Sequence, residues 1–149
     1  MRKLLLLSFL FSFQIAFSQK LATRFETSNG TESPAYPEII DWWKKLDATS
    51  SYVKMMEFGA TDAGFPLHVV LISSDKNFDI KSIRAKNKAV ILINNGIHPG
   101  EPDGIDASML LAKEIVVNQR WFLFTPYTYL PFCIFIHFPQ QAWSPRTEY

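Results

Sequence analysis

His98 and Glu101 stand three residues apart in the passage Asn94-Asn95-Gly96-Ile97-His98-Pro99-Gly100-Glu101-Pro102-Asp103-Gly104. Neutral imidazole nitrogen and carboxylate oxygen are both donors that a divalent zinc ion accepts. The passage follows a strongly apolar run, Ala89 to Ile93, and leads into a helix-like pattern that starts near Pro102. The pair therefore sits at a strand-to-helix junction, where an α/β sheet presents its chemistry outside the carboxyl ends of the strands. A bare His-x-x-Glu is a weak signal, and the competing reading is a helix-capping Glu beside an ordinary loop His. The surroundings favour the metal. Gly96 and Gly100 permit close backbone approach or positive φ. Pro99 and Pro102 stiffen the loop, and Pro102 can open the helix without wasting an amide. Ligands held in place before the ion arrives are what a metal site needs. Asp103 and Asp106 are assigned to the helix N-terminus rather than to the metal.

The elements that must position this pair follow from periodicity. Ala89 to Ile93 reads as a strand buried on both faces, being apolar, β-branched and bounded by polar residues. After the motif, Ile105, Met109, Ala112 and Val116 fall on one helical face, with Lys113 and Glu114 available for the wet side. Upstream, Thr23 to Glu38 is polar, carries Ser-Asn-Gly and Ser-Pro turn signals, and reads as an extended lead-in. Pro37 suits the first turn of a helix and Glu38 its positive end. Ile39, Trp42, Trp43 and Leu46 recur at helical spacing to about Asp47, with both tryptophans read as packing residues. Val53 to Phe58 and Leu67 to Ser73 are strand candidates joined by the turn-rich Gly59 to Pro66, which predicts a hairpin. His68, in an apolar strand pattern, reads as a packed or edge histidine. Residues 74–88, rich in Asp, Asn and Lys, read as a solvated excursion.

The 149 residues carry a formal net charge of +1, from 15 basic and 14 acidic side chains. No basic stripe argues for nucleic acid and no acidic run argues for disorder. Residues 1–18 have the layout of a secretory signal peptide. Arg2 and Lys3 precede the apolar stretch Leu4 to Phe13, and Ala16-Phe17-Ser18 offers small residues for cleavage before Gln19. The apolar stretch falls short of the roughly 20 residues of a membrane span. An exported protein, periplasmic or secreted, is the expectation. Cys133 is the only cysteine, so no intrachain disulfide framework is available and core burial or a metal must hold the fold.

Past Asn118 the character changes. Residues 121–138 contain no Lys, Arg, Asp or Glu and are dense in aromatics, with Pro126 and Pro131 interrupting and no clear helical or strand period. A sheet core is not expected from this pattern. The two prolines also make 121–138 a poor single membrane helix, so membrane contact by this tail is not expected.

Gly96-Ile97-His98-Pro99-Gly100-Glu101-Pro102 resembles the zinc-binding signature of the metallocarboxypeptidases, the carboxypeptidase A/B-like zinc peptidases. Thr23-Arg24-Phe25-Glu26, Phe58-Gly59-Ala60-Thr61 and Gly64-Phe65-Pro66-Leu67 are similar to the opening of that domain, and the resemblance covers roughly residues 20–118. It implies an α/β fold with a mixed, mostly parallel sheet and flanking helices, here incomplete. It implies His98 and Glu101 as two of three protein ligands to a catalytic Zn2+, and a peptide or protein C-terminus as substrate. In this family the third ligand is a downstream histidine and the general base a later glutamate. Neither has a matching position here, and the surroundings of His137 do not resemble the segment that carries the third ligand. The organisation expected is thus a signal peptide at 1–18, the N-terminal part of a zinc carboxypeptidase-like domain at 19–118, and an atypical tail at 119–149 of the kind a truncation or shifted reading frame produces. The chain alone is then expected to be inactive. The alternatives are a non-catalytic exported remnant or binding module with a degenerate metal site, and an aspartoacylase-like zinc amidohydrolase. Amidohydrolases of that kind look more like Gly-x-His-Gly-Asn-Glu here, so His98-Pro99-Gly100-Glu101 favours the peptidase.

Overall fold

The computed structural model describes residues 21–60, 64–86, 89–98 and 100–120 in full, and the backbone of Phe132–Phe138. The expected signal peptide at 1–18 lies outside the described residues.

A one-turn helix, α1 (Arg24–Thr27), interrupts the lead-in that was expected to be extended. Its cause is local. The Thr23 hydroxyl accepts the Glu26 amide at 3.2 Å, and the Glu26 carboxylate accepts the Thr23 amide at 2.8 Å. This reciprocal capping box satisfies two donors that a helix start otherwise leaves open. Helix α2 (Tyr36–Thr49) follows, with Pro37 in its first turn and the Glu38 carboxylate accepting the Ala35 amide at 2.9 Å. It buries Ile39, Ile40, Trp42, Trp43 and Leu46. The tryptophans pack edge to face with ring centres 4.9 Å apart, and the Trp42 indole donates to the Leu21 carbonyl at 2.9 Å. Both are packing residues, as their spacing implied.

Strands β1 (Val53–Ala60) and β2 (Pro66–Ser73) form the expected antiparallel hairpin, pairing Val53 with Ile72 and Glu57 with His68. The register slips between Glu57 and Ala60, where Gly59 takes a φ of 68°. A short helix, α3 (Ile80–Ala85), stands in the segment read as a solvated excursion. Asp79 caps it by accepting the Ser82 amide at 2.8 Å, and Ile83 alone of its residues is buried.

Strand β3 (Ala89–Asn94) leads to helix α4 (Asp103–Ala112), which widens into a π turn over Lys113–Val117. Ile105, Met109, Ala112 and Val116 are buried as the helical period predicted. Lys113 is a correction. It was placed on the wet side but is only 8% exposed, and its ammonium meets the Glu26 carboxylate at 2.7 Å. Lys113 stands four residues after Met109, at the edge of the same helical face, and is buried together with Ile115 and Val116.

The sheet order is β1-β2-β4-β3, where β4 is Phe132–Phe138. The expectation that this aromatic stretch would not build a sheet is corrected by its place between β2 and β3. Phe132-Cys133-Ile134-Phe135-Ile136-His137-Phe138 is a run of β-forming residues, and Pro131 and Pro139 bound it without entering it. The sheet is mixed, as expected. "Mostly parallel" does not hold among the described strands, because β1–β2 and β2–β4 are antiparallel and only β3–β4 is parallel. The short hairpin connection forces the first of these, whereas the parallel pair is allowed by the long passage through α4.

Trp43, Leu46, Val53, Val70, Ile72, Ile105, Met109 and Ile115 share one core cluster, so α2 and α4 pack on one face of the sheet. The reading of β3 as buried on both faces is corrected too. Val90, Ile91 and Leu92 are 50%, 37% and 69% exposed, and only Ile93 packs partly against the core. An apolar, β-branched run sets strand propensity, but burial depends on neighbouring layers, and β3 is an edge of the described sheet.

Candidate metal centre

The loop after β3 carries the two candidate ligands. Gly96 and Gly100 both take positive φ, 66° and 82°, values that a side chain bearing Cβ rarely adopts. The chain can therefore turn sharply on either side of His98. His98 Nδ1 and Glu101 Oε2 lie 3.1 Å apart, and the two side chains are 67% and 58% exposed. With Nδ1 carrying its proton, the imidazole donates to the carboxylate. The pair expected to share one ion thus faces itself across a single hydrogen bond.

That separation fits a cation. Zinc bonds of about 2.0–2.2 Å to nitrogen and oxygen put two ligand atoms of a tetrahedral centre a little over 3 Å from each other. Both groups are open to solvent, so an ion and a substrate can reach them. Among the described residues, no group of three His, Cys, Asp or Glu side chains gathers to hold a metal.

The loop's ends are tied together by residues that sequence reasoning did not single out. Asn95, the first residue after β3, donates its side-chain amide to the Gly104 carbonyl at 2.8 Å and to the Ser108 hydroxyl at 2.5 Å. Ser108 in turn donates to the Gly104 carbonyl at 2.7 Å. A signal was available in Gly104, because a glycine inside a helical pattern costs about 1 kcal/mol against alanine. On α4, Asp103 and Asp106 follow the Pro102 carbonyl, which accepts the Ile105 and Asp106 amides at 2.9 and 3.0 Å. Asp106 is buried and accepts from the Ser33 hydroxyl at 2.5 Å. Burial pushes its carboxyl above the usual carboxylate range, and the charge of Asp103 adds to this against the opposing Ser33 hydrogen bond.

The other histidines lie elsewhere. His68 is 2% exposed, held between Tyr36 Oη at 3.2 Å and Glu57 Oε1 at 3.3 Å, which is the packed role its strand pattern implied. Burial raises the Tyr36 phenol above its ordinary value, with the Glu57 charge adding to the effect. His137 sits on β4 in register with Asn94 of β3 and Val69 of β2.

A family model described as zinc carboxypeptidase matches residues 39–121, more than half of the chain. The matched span runs from α2 through α4 and contains His98 and Glu101. No match to a curated protein was found.

Proposed function

Because this chain belongs to the zinc carboxypeptidase family, we propose that it carries part of a zinc-dependent centre for removing C-terminal residues from peptides, with His98 and Glu101 as two of the protein ligands. One observation carries the reading: an imidazole nitrogen and a carboxylate oxygen 3.1 Å apart on an exposed loop inside the matched span. Zinc bound there would polarise a scissile carbonyl and bring the pKa of a bound water to about 7. The chain's own part is to bring the two groups together with the two glycine turns, and zinc would take the place of the proton that they share in the free chain. Their exposure leaves room for a peptide terminus to approach. The leader-like residues 1–18 support action after export, in a periplasm or outside the cell.

Two donors are fewer than the three protein ligands of catalytic zinc sites, and no third gathers among the described residues. This favours, as a second reading, a chain that alone holds zinc weakly and releases no C-terminal residues. The amidohydrolase alternative has less support, because both the His98-Pro99-Gly100-Glu101 spelling and the family match point to the peptidases.

A zinc titration of the full chain tests the reading. Weak saturable binding that His98→Ala abolishes is expected, with no turnover of peptide substrates. Tight one-to-one binding lost in His98→Ala would bring His137 in as a third ligand. Binding indifferent to His98→Ala would sink the assignment, and robust zinc-dependent turnover would refute the inactivity of the chain alone.

A further inference from the structure

We propose that Asn95 is a positioning residue for this metal centre, acting through a clamp that Gly104 makes room for; the inference rests on His98 and Glu101 being ligands. Neither ligand is held by the core, for both are more than half exposed. β3 itself is poorly covered, with Leu92 69% exposed. What fixes the loop is therefore its closure. Asn95 stands three residues before His98, and Gly104 three residues after Glu101. The Asn95 amide joins them, donating at 2.8 Å to the Gly104 carbonyl and at 2.5 Å to the Ser108 hydroxyl one turn further along α4. The segment 96–103, bearing both donors, becomes a loop pinned at its two ends.

Gly104 has no conformational reason to be glycine, since it is not among the positive-φ glycines. Its reason is space. A Cβ there would lie 2.8 Å from Asn95 Cγ and Oδ1 and 3.0 Å from Asn95 Cβ. Real side chains do not approach so closely, so any larger residue would push the amide out of the clamp. Glycine is an unfavourable residue within a helix, and α4 retains one where the Asn95 side chain lies. Groups hydrogen-bonded to a metal ligand typically change metal affinity by about 10–100-fold when removed, and Asn95, which acts on the loop rather than on a ligand, belongs at the low end of that range.

The test is a zinc titration of the full chain, followed by the chemical shifts of the His98 imidazole and the loop amides. It compares the native chain with Asn95→Ala, Gly104→Ala, the double variant and His98→Ala. The folded fraction of each is measured by circular dichroism, and affinities are expressed per folded molecule. Each single variant at the clamp is expected to raise the zinc Kd by about 10-fold. The double variant should be no worse than Asn95→Ala, because both changes remove one interaction. Gly104→Ala improves intrinsic helix propensity, and its helix content by circular dichroism separates a weaker affinity from a frayed α4. Native-like zinc affinity in both single variants, with His98→Ala still abolishing binding, would overturn the clamp and leave the metal centre standing. Binding unaffected by His98→Ala would instead overturn the centre on which the clamp rests. Additive losses in the double variant would show two independent structural effects and refute the proposal.

Discussion

Glu26 and Lys113 join segments 87 residues apart in the chain, and their contact allows a sharp test of what secures α4 behind the candidate metal loop. The Lys113 ammonium is only 10% exposed at its side chain and the Glu26 carboxylate 32% exposed, with 2.7 Å between them. Glu26 also accepts the Thr23 amide, so the same side chain closes the capping box of α1. Glu26→Gln keeps the shape and removes the charge, leaving the buried ammonium with only the weaker influence of Glu114. Breaking a fully buried pair in this way costs about 3–5 kcal/mol, and exposed pairs contribute about 0–1 kcal/mol. With one partner a third exposed, a loss of about 1–3 kcal/mol lies between these limits. The pH dependence gives the sign. Burial pushes the Glu26 carboxyl up, but the Lys113 and Thr23 hydrogen bonds and the Lys113 charge outweigh it, so its pKa in the folded chain is lowered. A depressed folded pKa contributes stability that is present above the unfolded value and lost as pH falls through the folded one. Urea unfolding of the native chain and Glu26→Gln from pH 7 downward measures both effects. The native chain should lose the increment below about pH 4.5, where the unfolded carboxyl titrates, and the variant should show a flatter profile. Glu26→Gln with Lys113→Met should recover stability, because the stranded charge is gone. Equal stability of native chain and Glu26→Gln at pH 7, with parallel acid profiles, would refute the reasoning.

Two further perturbations probe the same half of the molecule. Asp106 has a raised folded pKa, so its protonated form is favoured by folding; its contribution is present below the unfolded value and lost as pH rises through the folded one. One of its oxygens has no described partner. Asp106→Asn, which can keep the Ser33 hydrogen bond, should therefore be more stable than the native chain at pH 7, and lower stability in thermal unfolding would contradict this. On β3, Leu92→Lys changes a side chain 69% exposed at an edge of the described sheet. It should alter monomer stability by no more than about 0.5 kcal/mol while reducing concentration-dependent association in sedimentation, as charges on edges do.

How much of this was legible in the sequence depends on how far each cause lies from its effect. The β1–β2 hairpin and the buried face of α2 were readable because runs of β-forming residues, a turn-rich connector and a helical stripe are local patterns. The α1 capping box was equally local, and Thr23-x-x-Glu26 is its plain signature, yet turn signals around it suggested an extended lead-in. Burial of Lys113 was not readable. It needed the arrival of Glu26 from the other end of the domain. β4 was missed for a related reason: scanned as one stretch, residues 121–138 have no period, and only the pairing with β2 and β3 separates Phe132–Phe138 from its surroundings. Exposure of β3 was missed because an apolar run reports what a strand would tolerate, and its actual neighbours decide what covers it.

The candidate centre divides along the same line, which explains why part of it could be named early. His98 and Glu101 are brought to 3.1 Å by a loop of their own making, with glycine turns at 96 and 100, so residue type and spacing were enough to pair them. A hydrogen bond at that distance nonetheless leaves two exposed side chains free to rotate apart, and local sequence supplies nothing to stop them. On the clamp proposed above, restraint comes from contacts that spacing alone does not reveal: Asn95 reaching across to Gly104 and Ser108, and α4 anchored in turn by Ser33 to Asp106 and by Glu26 to Lys113. The affinity of the loop for an ion should then depend on residues that never touch it. A chain with both ligands intact but α4 loosened would keep the motif and lose the grip.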